Sequence, residues 1–193
     1  MKRRILAVFT ALLLVGLCGC RGGQKDDATT TAENSTTRAL TPLTFTGFAL
    51  RTDGYHEDAD YPSVAIINSV SDLQKYYTAN KDRYFLERRT PVPPNTAQGF
   101  LDAAERYDDA FFTAYTLVLI LIEEGSGSVR HEVTKVVQNN AVTQITIRRD
   151  VPEIGTADMA EWHVFVELSN TEYNGSGIEV QFETGKLGQP TGS

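Results

Sequence analysis

Cysteine is almost absent from this chain of 193 residues, because its two cysteines, Cys18 and Cys20, both lie near the amino terminus. Everything after Cys20 therefore lacks a thiol. Without thiols, that part of the chain has no disulfide framework, no cysteine nucleophile and no thiolate metal site. The sequence thus excludes cysteine chemistry from any folded domain that follows.

Histidine is nearly as rare, with residues only at positions 56, 131 and 163. His131 and His163 fall in two predicted strands. If those strands are neighbours, the two rings and Glu161 can share a face, and two imidazoles with a carboxylate can bind zinc. The alternative is that both are ordinary hydrogen-bonded histidines. The His-Glu-x-x-His spacing is missing, because Lys135 stands where the second histidine would be.

Signatures of other enzyme classes are missing as well. The turn Gly125–Val129 lacks the final glycine of a Gly-x-Ser-x-Gly nucleophile elbow and joins two predicted strands. Glu123 and Glu124 are adjacent at a strand end, where neighbouring side chains diverge, so they resemble a glycosidase pair only superficially. The chain also has no Gly-rich phosphate-binding loop. We therefore expect no catalytic residues and no cofactor.

Basic residues are outnumbered, with 18 against 25 acidic residues and a formal net charge of −7. Removal of Lys2, Arg3 and Arg4 with a signal peptide leaves 15 basic residues and a charge near −10. Nucleic-acid binding depends on basic patches that contact phosphates. This balance disfavours a nucleic-acid partner and suits a soluble surface.

The amino terminus has the layout of a secretory signal peptide. Three basic residues precede an apolar stretch from Ile5 to Leu17, which is shorter than the about 20 residues of a membrane span. The end of this stretch, Leu17-Cys18-Gly19-Cys20, resembles the lipobox of bacterial lipoproteins, in which the last cysteine is diacylated. The resemblance implies a signal peptide over 1–19, lipidation of Cys20, and an extracytoplasmic location anchored to the cell membrane by lipid.

Composition divides the remaining chain into three parts. Residues 20–41 are polar and rich in Thr, which predicts a flexible tether. Residues 42–185 are long enough to form one domain with its own core. Residues 186–193 are expected to be a polar tail.

The pattern of apolar residues predicts an α+β domain with a mostly antiparallel β-sheet. Leu117–Ile122 is continuously apolar, which is typical of a central strand covered on both faces. Asn139-Asn140 and Asn174-Gly175 predict tight turns between later strands. These strands are expected to form a meander in the C-terminal half.

Two helices are expected to pack on one face of this sheet. Ser71 and Gln74 match a capping box at the start of the first helix. The proline-rich stretch 88–94 predicts irregular structure, after which Thr96 starts the second helix. Phe100 and later apolar residues supply the buried stripe of that helix.

Two loops are candidate binding regions. Residues 53–60 gather four carboxylates and His56, a composition that suits calcium, but the EF-hand order is missing and a solvated acidic loop is the favoured explanation. Residues 153–162 mix polar and apolar side chains in a loop between strands, a favoured position for recognition. The candidate binding residues of this loop and of the nearby aromatic positions are Ile154, Asp158, Met159, Trp162, Tyr55 and Tyr61.

The stretch from Asp109 to Leu168 is similar to the C-terminal domain of the spirochaete protease-complex subunit PrcB. The segments that carry the likeness are Phe111-Phe112, Leu117–Ile122, Gly125-Ser-Gly127 and Val133-Thr-Lys-Val136. The chain departs from that family after the glycine turn, where Val129 stands, and at Glu161-Trp162-His163. The likeness implies a non-catalytic accessory role.

Most of the chain also resembles a group of uncharacterised lipoproteins from Gram-positive gut anaerobes, through segments such as Phe100–Ala103 and Asp158–His163. Together these observations predict a surface-tethered, non-enzymatic lipoprotein that serves as a binding or accessory module for another exported protein. Two alternatives remain open. One is an extracytoplasmic small-molecule or sugar binder that uses the candidate aromatic residues, and the other is a metal-dependent hydrolase centred on the two strand histidines and Glu161.

Overall fold

A computed structural model describes residues 39–52, 56, 59–92 and 96–186. The predicted signal peptide, Cys20 and most of the predicted tether lie outside these residues, as do Tyr55, most of the acidic loop and the chain beyond Lys186. No helix in the described part of the chain is long and apolar enough to cross a membrane. The described residues belong to one compact unit, residues 37–193.

The described residues form ten strands and three helices. The strands are β1 (Thr41–Pro42), β2 (Phe45–Arg51), β3 (Ser63–Ile67), β4 (Arg89–Val92), β5 (Thr96–Gly99), β6 (Tyr115–Glu124), β7 (Arg130–Gln138), β8 (Val142–Val151), β9 (Ala160–Ser169) and β10 (Gly177–Lys186). The helices are α1 (Val70–Asn80), α2 (Phe100–Ala104) and α3 (Asp109–Ala114).

The strands form two four-stranded sheets and one hairpin. We call the sheet with strand order β2-β9-β6-β3 the central sheet and the sheet with order β1-β7-β8-β10 the outer sheet. Strands β4 and β5 pair with each other. Every pairing is antiparallel except that of β10 with β8, which is parallel.

The central sheet has apolar side chains on both faces, so the molecule has two cores. The residues of β6 and β9 that pack toward the outer sheet are Val118, Ile120, Ile122, Trp162, Val164, Val166 and Leu168. The residues of the same strands that pack toward the helices are Leu117, Leu119, Leu121 and Phe165, together with Leu73 of α1 and Phe100 of α2. The order of layers is therefore outer sheet, central sheet and helices. Because successive side chains of a strand point to opposite faces, a continuously apolar strand needs a cover on each side.

The α+β class and the mostly antiparallel pairing are confirmed, and so is the prediction that Leu117–Ile122 is covered on both faces. The strands of the C-terminal half differ from a single meander, however, because they alternate between two sheets. The hairpin of β7 and β8 belongs to the outer sheet, β9 returns to the central sheet, and β10 crosses back beside β8. The second apolar face of β6 and β9 requires this arrangement, since one sheet with helices on one face would leave it exposed.

The predicted capping box of the first helix is wrong by two residues. Ser69 is the N-cap of α1, and its Oγ accepts a hydrogen bond from the Asp72 backbone N–H at 3.1 Å. The Asp72 carboxylate in turn accepts a hydrogen bond from the Ser69 hydroxyl at 2.8 Å. An aspartate three residues after the cap, and not Gln74, is the side chain that contacts the cap residue.

The predicted second helix is also wrong at its start. Residues Thr96–Gly99 pair as a strand with Arg89–Val92, a stretch predicted to be irregular. The helix begins only at Phe100, where the Gly99 backbone N–H donates to Asp102 Oδ2 at 2.7 Å. A third helix, α3, begins after Asp108, whose Oδ1 accepts from the Phe111 backbone N–H at 2.8 Å. The structure thus has three helices where the sequence predicted two.

The predicted tight turn at Asn139-Asn140 is present, whereas Asn174-Gly175 lies within the seven-residue connection 170–176 between β9 and β10. Asn139 Oδ1 accepts hydrogen bonds from the backbone N–H groups of Ala141 and Val142, which closes the connection between β7 and β8. Gly175 has a φ of 76°, a left-handed conformation that favours glycine, in the connection between β9 and β10.

Candidate functional site

One end of the central sheet gathers most of the buried polar side chains. Strand β2 ends there at Arg51, opposite Trp162, and β6 ends at Glu124, opposite Ala160. The connection 125–129 leaves this end after β6, and the connection 152–159 returns to it before β9. We call this end of the molecule the loop end and the segment 152–159 the recognition loop.

Asp158 ties the recognition loop to the rest of the loop end. Its carboxylate accepts hydrogen bonds from Arg51 Nη2 at 2.7 Å and from the Gly127 backbone N–H at 3.1 Å. Hydrogen bonds from Thr156, Arg51 and Gly127 lower the pKa of Asp158 to about 2. A Cβ at position 127 would lie 2.0 Å from Arg51 Nη1 and 2.6 Å from Asp158 Oδ2, so these side chains would have to shift.

A second set of hydrogen bonds joins the same two connections. The Thr156 hydroxyl lies 3.2 Å from the Ser126 hydroxyl and 3.0 Å from the Ser128 hydroxyl. The Thr156 backbone N–H also donates to Ser128 Oγ at 3.1 Å. The glycine- and serine-rich turn 125–129 therefore supports the recognition loop and does not have the strand-to-helix geometry of a nucleophile elbow.

The recognition loop exposes large apolar side chains although its backbone is held. Ile154 is 91% exposed and Met159 is 45% exposed. Trp162, which the sequence placed on the same binding edge, is only 6% exposed. Its ring packs between the sheets against the His131 ring at 5.0 Å, and the Arg130 guanidinium lies 5.6 Å from the indole. Trp162 is thus a core residue, and the surface of the loop consists of Ile154, Met159 and their neighbours.

A charged cluster lies between the two sheets beneath the loop end. Glu124 Oε1 accepts hydrogen bonds from Arg149 Nε at 2.6 Å, and His131 Nε2 lies 2.8 Å from the same oxygen. Arg149 Nη2 also donates to Glu124 Oε2. Burial alone would raise the pKa of Glu124, but Arg149 and His131 outweigh this effect and lower the pKa to about 2. Glu124 is therefore a paired carboxylate that joins the central sheet to the outer sheet.

A second buried carboxylate, Glu161, lies on the opposite face of the central sheet. The Tyr61 hydroxyl donates to Glu161 Oε1, and His56 Nδ1 lies 3.5 Å from that oxygen. Glu161 Oε2 has no hydrogen-bond partner in the structure as described. Burial raises the pKa of Glu161, an effect that the hydrogen bonds from Tyr61 and His56 offset only in part.

His163 is fully buried on the same face as Glu161. Its Nδ1 lies 2.8 Å from the Thr52 hydroxyl, and its Nε2 lies 2.9 Å from the Tyr76 hydroxyl. Burial lowers the pKa of His163 to about 3, so the ring is neutral at physiological pH. With both nitrogens occupied, His163 fits the reading of an ordinary hydrogen-bonded histidine in the core.

The fold does not bring together His131, His163 and Glu161, the three weak candidates for a zinc site. His131 packs between the two sheets with Trp162, whereas His163 and Glu161 face the helices. The central sheet therefore separates one histidine from the other two groups. Within the described residues, no group of three or more His, Cys, Asp or Glu side chains is arranged to hold a metal ion.

The predicted aromatic binding cleft is not formed by the residues that the structure describes. Tyr61 lies on the helix side and donates to Glu161, whereas Trp162 faces the outer sheet. Tyr55 and most of the acidic loop 53–60 lie outside the described residues. Of the three aromatic residues named for the small-molecule alternative, Tyr61 and Trp162 therefore lie on opposite faces of the central sheet, and Tyr55 is not among the described residues.

Two residues that hold the loop end, Arg51 and Arg149, were not predicted from the sequence, and Gly127 was predicted only as part of a turn. Each acts on a partner far along the chain, and Arg51 and Asp158 are 107 residues apart. One local signal was available, since Glu124 ends an otherwise apolar strand, and a buried carboxylate needs a cation. The identity of that cation depends on the pairing of β7 with β8.

No protein-family model, curated protein or solved structure matches this chain. Glu124 is held by Arg149 and His131, and both nitrogens of His163 are engaged. The exposed apolar surface of the recognition loop is the part of this end best suited to contact a ligand.

Proposed function

We propose that this chain is a surface-tethered, non-enzymatic lipoprotein that binds another exported protein through its recognition loop. The observation that carries the proposal is Ile154, which is 91% exposed on a loop that the Asp158 side chain and the Thr156 backbone N–H bond to the turn 125–129. Burial of an exposed isoleucine by another surface is favourable, because it removes apolar area from water. A loop that is already held loses little conformational entropy when it binds.

The tether belongs to the same proposal. The lipobox-like Leu17-Cys18-Gly19-Cys20 supports lipidation of Cys20 and a location at the outer side of the cell membrane. Two acyl chains give stable membrane attachment, since each buried CH₂ contributes about 0.8 kcal/mol. A variant with Cys20→Ala should lose incorporation of labelled palmitate and should leave the membrane fraction.

The test of the binding role is a crosslinked pull-down of the full lipoprotein from native membranes, with quantitative mass spectrometry of what is recovered. We expect one exported protein in near-stoichiometric amount. Ile154→Ser should lower its recovery about tenfold, because central apolar contacts dominate interface energies. Phe182→Ser, a similar change on β10 far along the chain, is the matched control and should leave recovery unchanged. Equal recovery with Ile154→Ser would refute the proposed surface.

A pair of glycines tests whether the held backbone matters. Gly127→Ala should displace Arg51 from Asp158 and lower recovery of the partner, because the new Cβ has no room. Gly125→Ala meets nothing within 4 Å and should leave recovery unchanged. If both variants recover the partner equally, the rigidity of the recognition loop has no part in binding.

A further inference from the structure

We propose that a groove at the end of the central sheet opposite the loop end binds a neutral saccharide. This site goes beyond the proposed function, because it shares no residue with the recognition loop. The groove has a volume of about 490 Å³, within the about 300–1,000 Å³ that is usual for small-ligand sites. Its lining includes two asparagines, a threonine, two aromatic residues and an isoleucine: Asn68, Asn170, Thr116, Phe112, Tyr173 and Ile66.

The fold brings the two asparagines to either side of the threonine. Strands β3 and β9 both run antiparallel to β6, which lies between them. The carboxyl ends of β3 and β9 therefore lie beside the amino end of β6. Asn68 directly follows β3, Asn170 directly follows β9, and Thr116 lies in the first residues of β6. Three hydrogen-bonding side chains from distant parts of the chain thus meet at one place.

Thr116 by itself cannot satisfy both asparagines. Its buried hydroxyl lies 3.0 Å from Asn68 Oδ1 and 2.8 Å from Asn170 Oδ1, but a hydroxyl has only one hydrogen to donate. Asn170 Nδ2 donates to the Phe112 backbone carbonyl at 3.1 Å, which directs Asn170 Oδ1 toward Thr116. The Asn68 amide therefore keeps hydrogen-bonding capacity that no group in the described part of the chain takes up. Because Asn68 is exposed and lines the groove, a ligand can use this capacity.

Two aromatic rings supply the apolar wall of the groove. Phe112 lies in α3 and Tyr173 lies after β9, and both side chains are half-buried. The Tyr173 hydroxyl donates to the Ser176 backbone carbonyl at 2.6 Å, and the Phe112 ring contacts the Phe111 ring with centroids 5.1 Å apart. Both rings are therefore held before a ligand arrives, which limits the conformational entropy lost on binding.

The composition of the groove selects a neutral ligand with several hydroxyl groups. Among the described residues that line it, none carries a charge, in a chain with 18 basic and 25 acidic residues. An ionic ligand would lose hydration there without gaining a counter-charge. A purely apolar ligand would leave the amide groups without partners. A saccharide has hydroxyls that both donate and accept, and the C–H face of its ring packs on aromatic side chains.

A peptide strand fits this groove less well, because strand addition depends on free main-chain groups. On the β9 side of the groove these groups are already used. The Asn170 N–H donates to the Ala114 carbonyl and the Tyr173 N–H donates to the Ser169 carbonyl, both at 2.9 Å. The polar groups that remain are side-chain amides and a hydroxyl, which match the separate hydroxyls of a sugar ring.

The test applies the full chain, in a detergent without a sugar headgroup, to an array of immobilised saccharides and neutral peptides. The array carries neutral sugars, uronic acids and amino sugars, and we expect binding to neutral sugars only. For the best of these, measured by titration calorimetry, Asn68→Ala should lower the affinity about tenfold, because it removes the available amide. Tyr173→Leu should lower it by a similar factor, whereas Tyr173→Phe keeps the ring and should stay within about threefold.

Two controls locate the binding in the groove. Gln181→Ala removes an exposed side-chain amide from β10 and should leave the saccharide affinity unchanged. Ile154→Ser should also leave it unchanged, because the recognition loop lies at the other end of β6 and β9. Urea unfolding of each variant checks that the fold is retained. Failure of every neutral sugar to bind, preference for a charged sugar or a peptide, or equal affinity for Asn68→Ala and Tyr173→Leu would overturn the saccharide proposal and leave the recognition-loop proposal standing.

Discussion

Two buried glutamates at the loop end show how differently one residue type can be used on the two faces of one sheet. Glu124 lies between the sheets and is bonded by Arg149 and His131. Glu161 lies toward the helices, where Tyr61 and His56 reach one oxygen and the other has no partner in the described structure. The pKa of Glu124 is lowered to about 2, whereas the pKa of Glu161 is raised.

The difference teaches that burial alone does not set the charge state of a carboxyl group. Both side chains are removed from water, which disfavours the ionised form. A guanidinium that makes two hydrogen bonds reverses this effect at Glu124, whereas a phenol and an imidazole do not reverse it at Glu161. Glu124 therefore stabilises the contact between the two sheets, whereas Glu161 destabilises the folded protein when its carboxyl group is ionised.

The largest expected effect on stability comes from removing Arg149, the cation that pairs with Glu124. Arg149→Met leaves Glu124 as a buried charge without its main partner and should lower the free energy of unfolding by about 3 kcal/mol. Lys75→Met, which breaks the exposed pair of Lys75 with Asp72, should leave the free energy of unfolding nearly unchanged. Urea unfolding of both variants measures the difference. Equal effects would show that Glu124 does not depend on Arg149.

The contributions of the two glutamates to the free energy of unfolding should change in opposite directions with pH. Glu124 has a folded pKa below the ordinary value of 4.5, so its contribution is present above that pH and is lost as the pH falls toward 2. Glu161 has a raised folded pKa, so its contribution is present below 4.5 and is lost as the pH rises through the raised value. Unfolding free energies of Glu124→Gln and Glu161→Gln, each compared with the unmodified chain from pH 2 to 8, should diverge in opposite directions. Parallel curves would contradict the comparison.

A smaller effect on stability is expected when Glu161 loses its hydrogen-bond donor, the Tyr61 hydroxyl. Tyr61→Phe removes the hydroxyl that donates to Glu161 Oε1 and should cost about 1.5 kcal/mol near pH 7. The same change in a Glu161→Gln background should cost less, because an uncharged amide has less need of the donor. A double-mutant cycle by urea unfolding measures this coupling. A coupling energy of zero would show that the contact contributes nothing to stability.

The smallest expected effect is a gain in stability. Glu161→Gln keeps the shape of the side chain and removes the ionisable carboxyl, so above the raised pKa of Glu161, where the carboxyl is charged, it should raise the free energy of unfolding by about 0.5 kcal/mol. Glu124→Gln at the same pH should lower it. If Glu161→Gln were strongly destabilising, an additional cation would have to contact Glu161 in the folded protein.

Strong local patterns predicted the fold better than weak ones. The apolar run Leu117–Ile122 and the paired asparagines Asn139-Asn140 each specify a structure within a few residues, and both predictions are confirmed. Residues Thr96–Gly99 carry no such pattern, and pairing with Arg89–Val92 makes them a strand. The helix cap was misplaced because Ser69 and Ser71 are both suitable caps, and only Asp72 distinguishes them.

Of the candidate site, the sequence identified the segment but could not distinguish its surface from its core. Ile154 and Trp162 were predicted together, yet one is exposed and the other lies between the sheets. The reason is that a strand shows alternation without showing which face is covered. That choice depends on the outer sheet, whose strands come from distant parts of the chain.

The sequence by itself determined the α+β class, the scarcity of thiols and the doubly apolar strand at the centre of the domain. These properties follow from composition and from side-chain periodicity, which act over a few residues. The tertiary structure alone decided that His131 and His163 lie on opposite faces of the central sheet, that Arg149 pairs with Glu124, and that Asp158 fixes the recognition loop. Each of these contacts depends on strand order and register, which are set by the packing of the whole chain and leave no mark within a single segment.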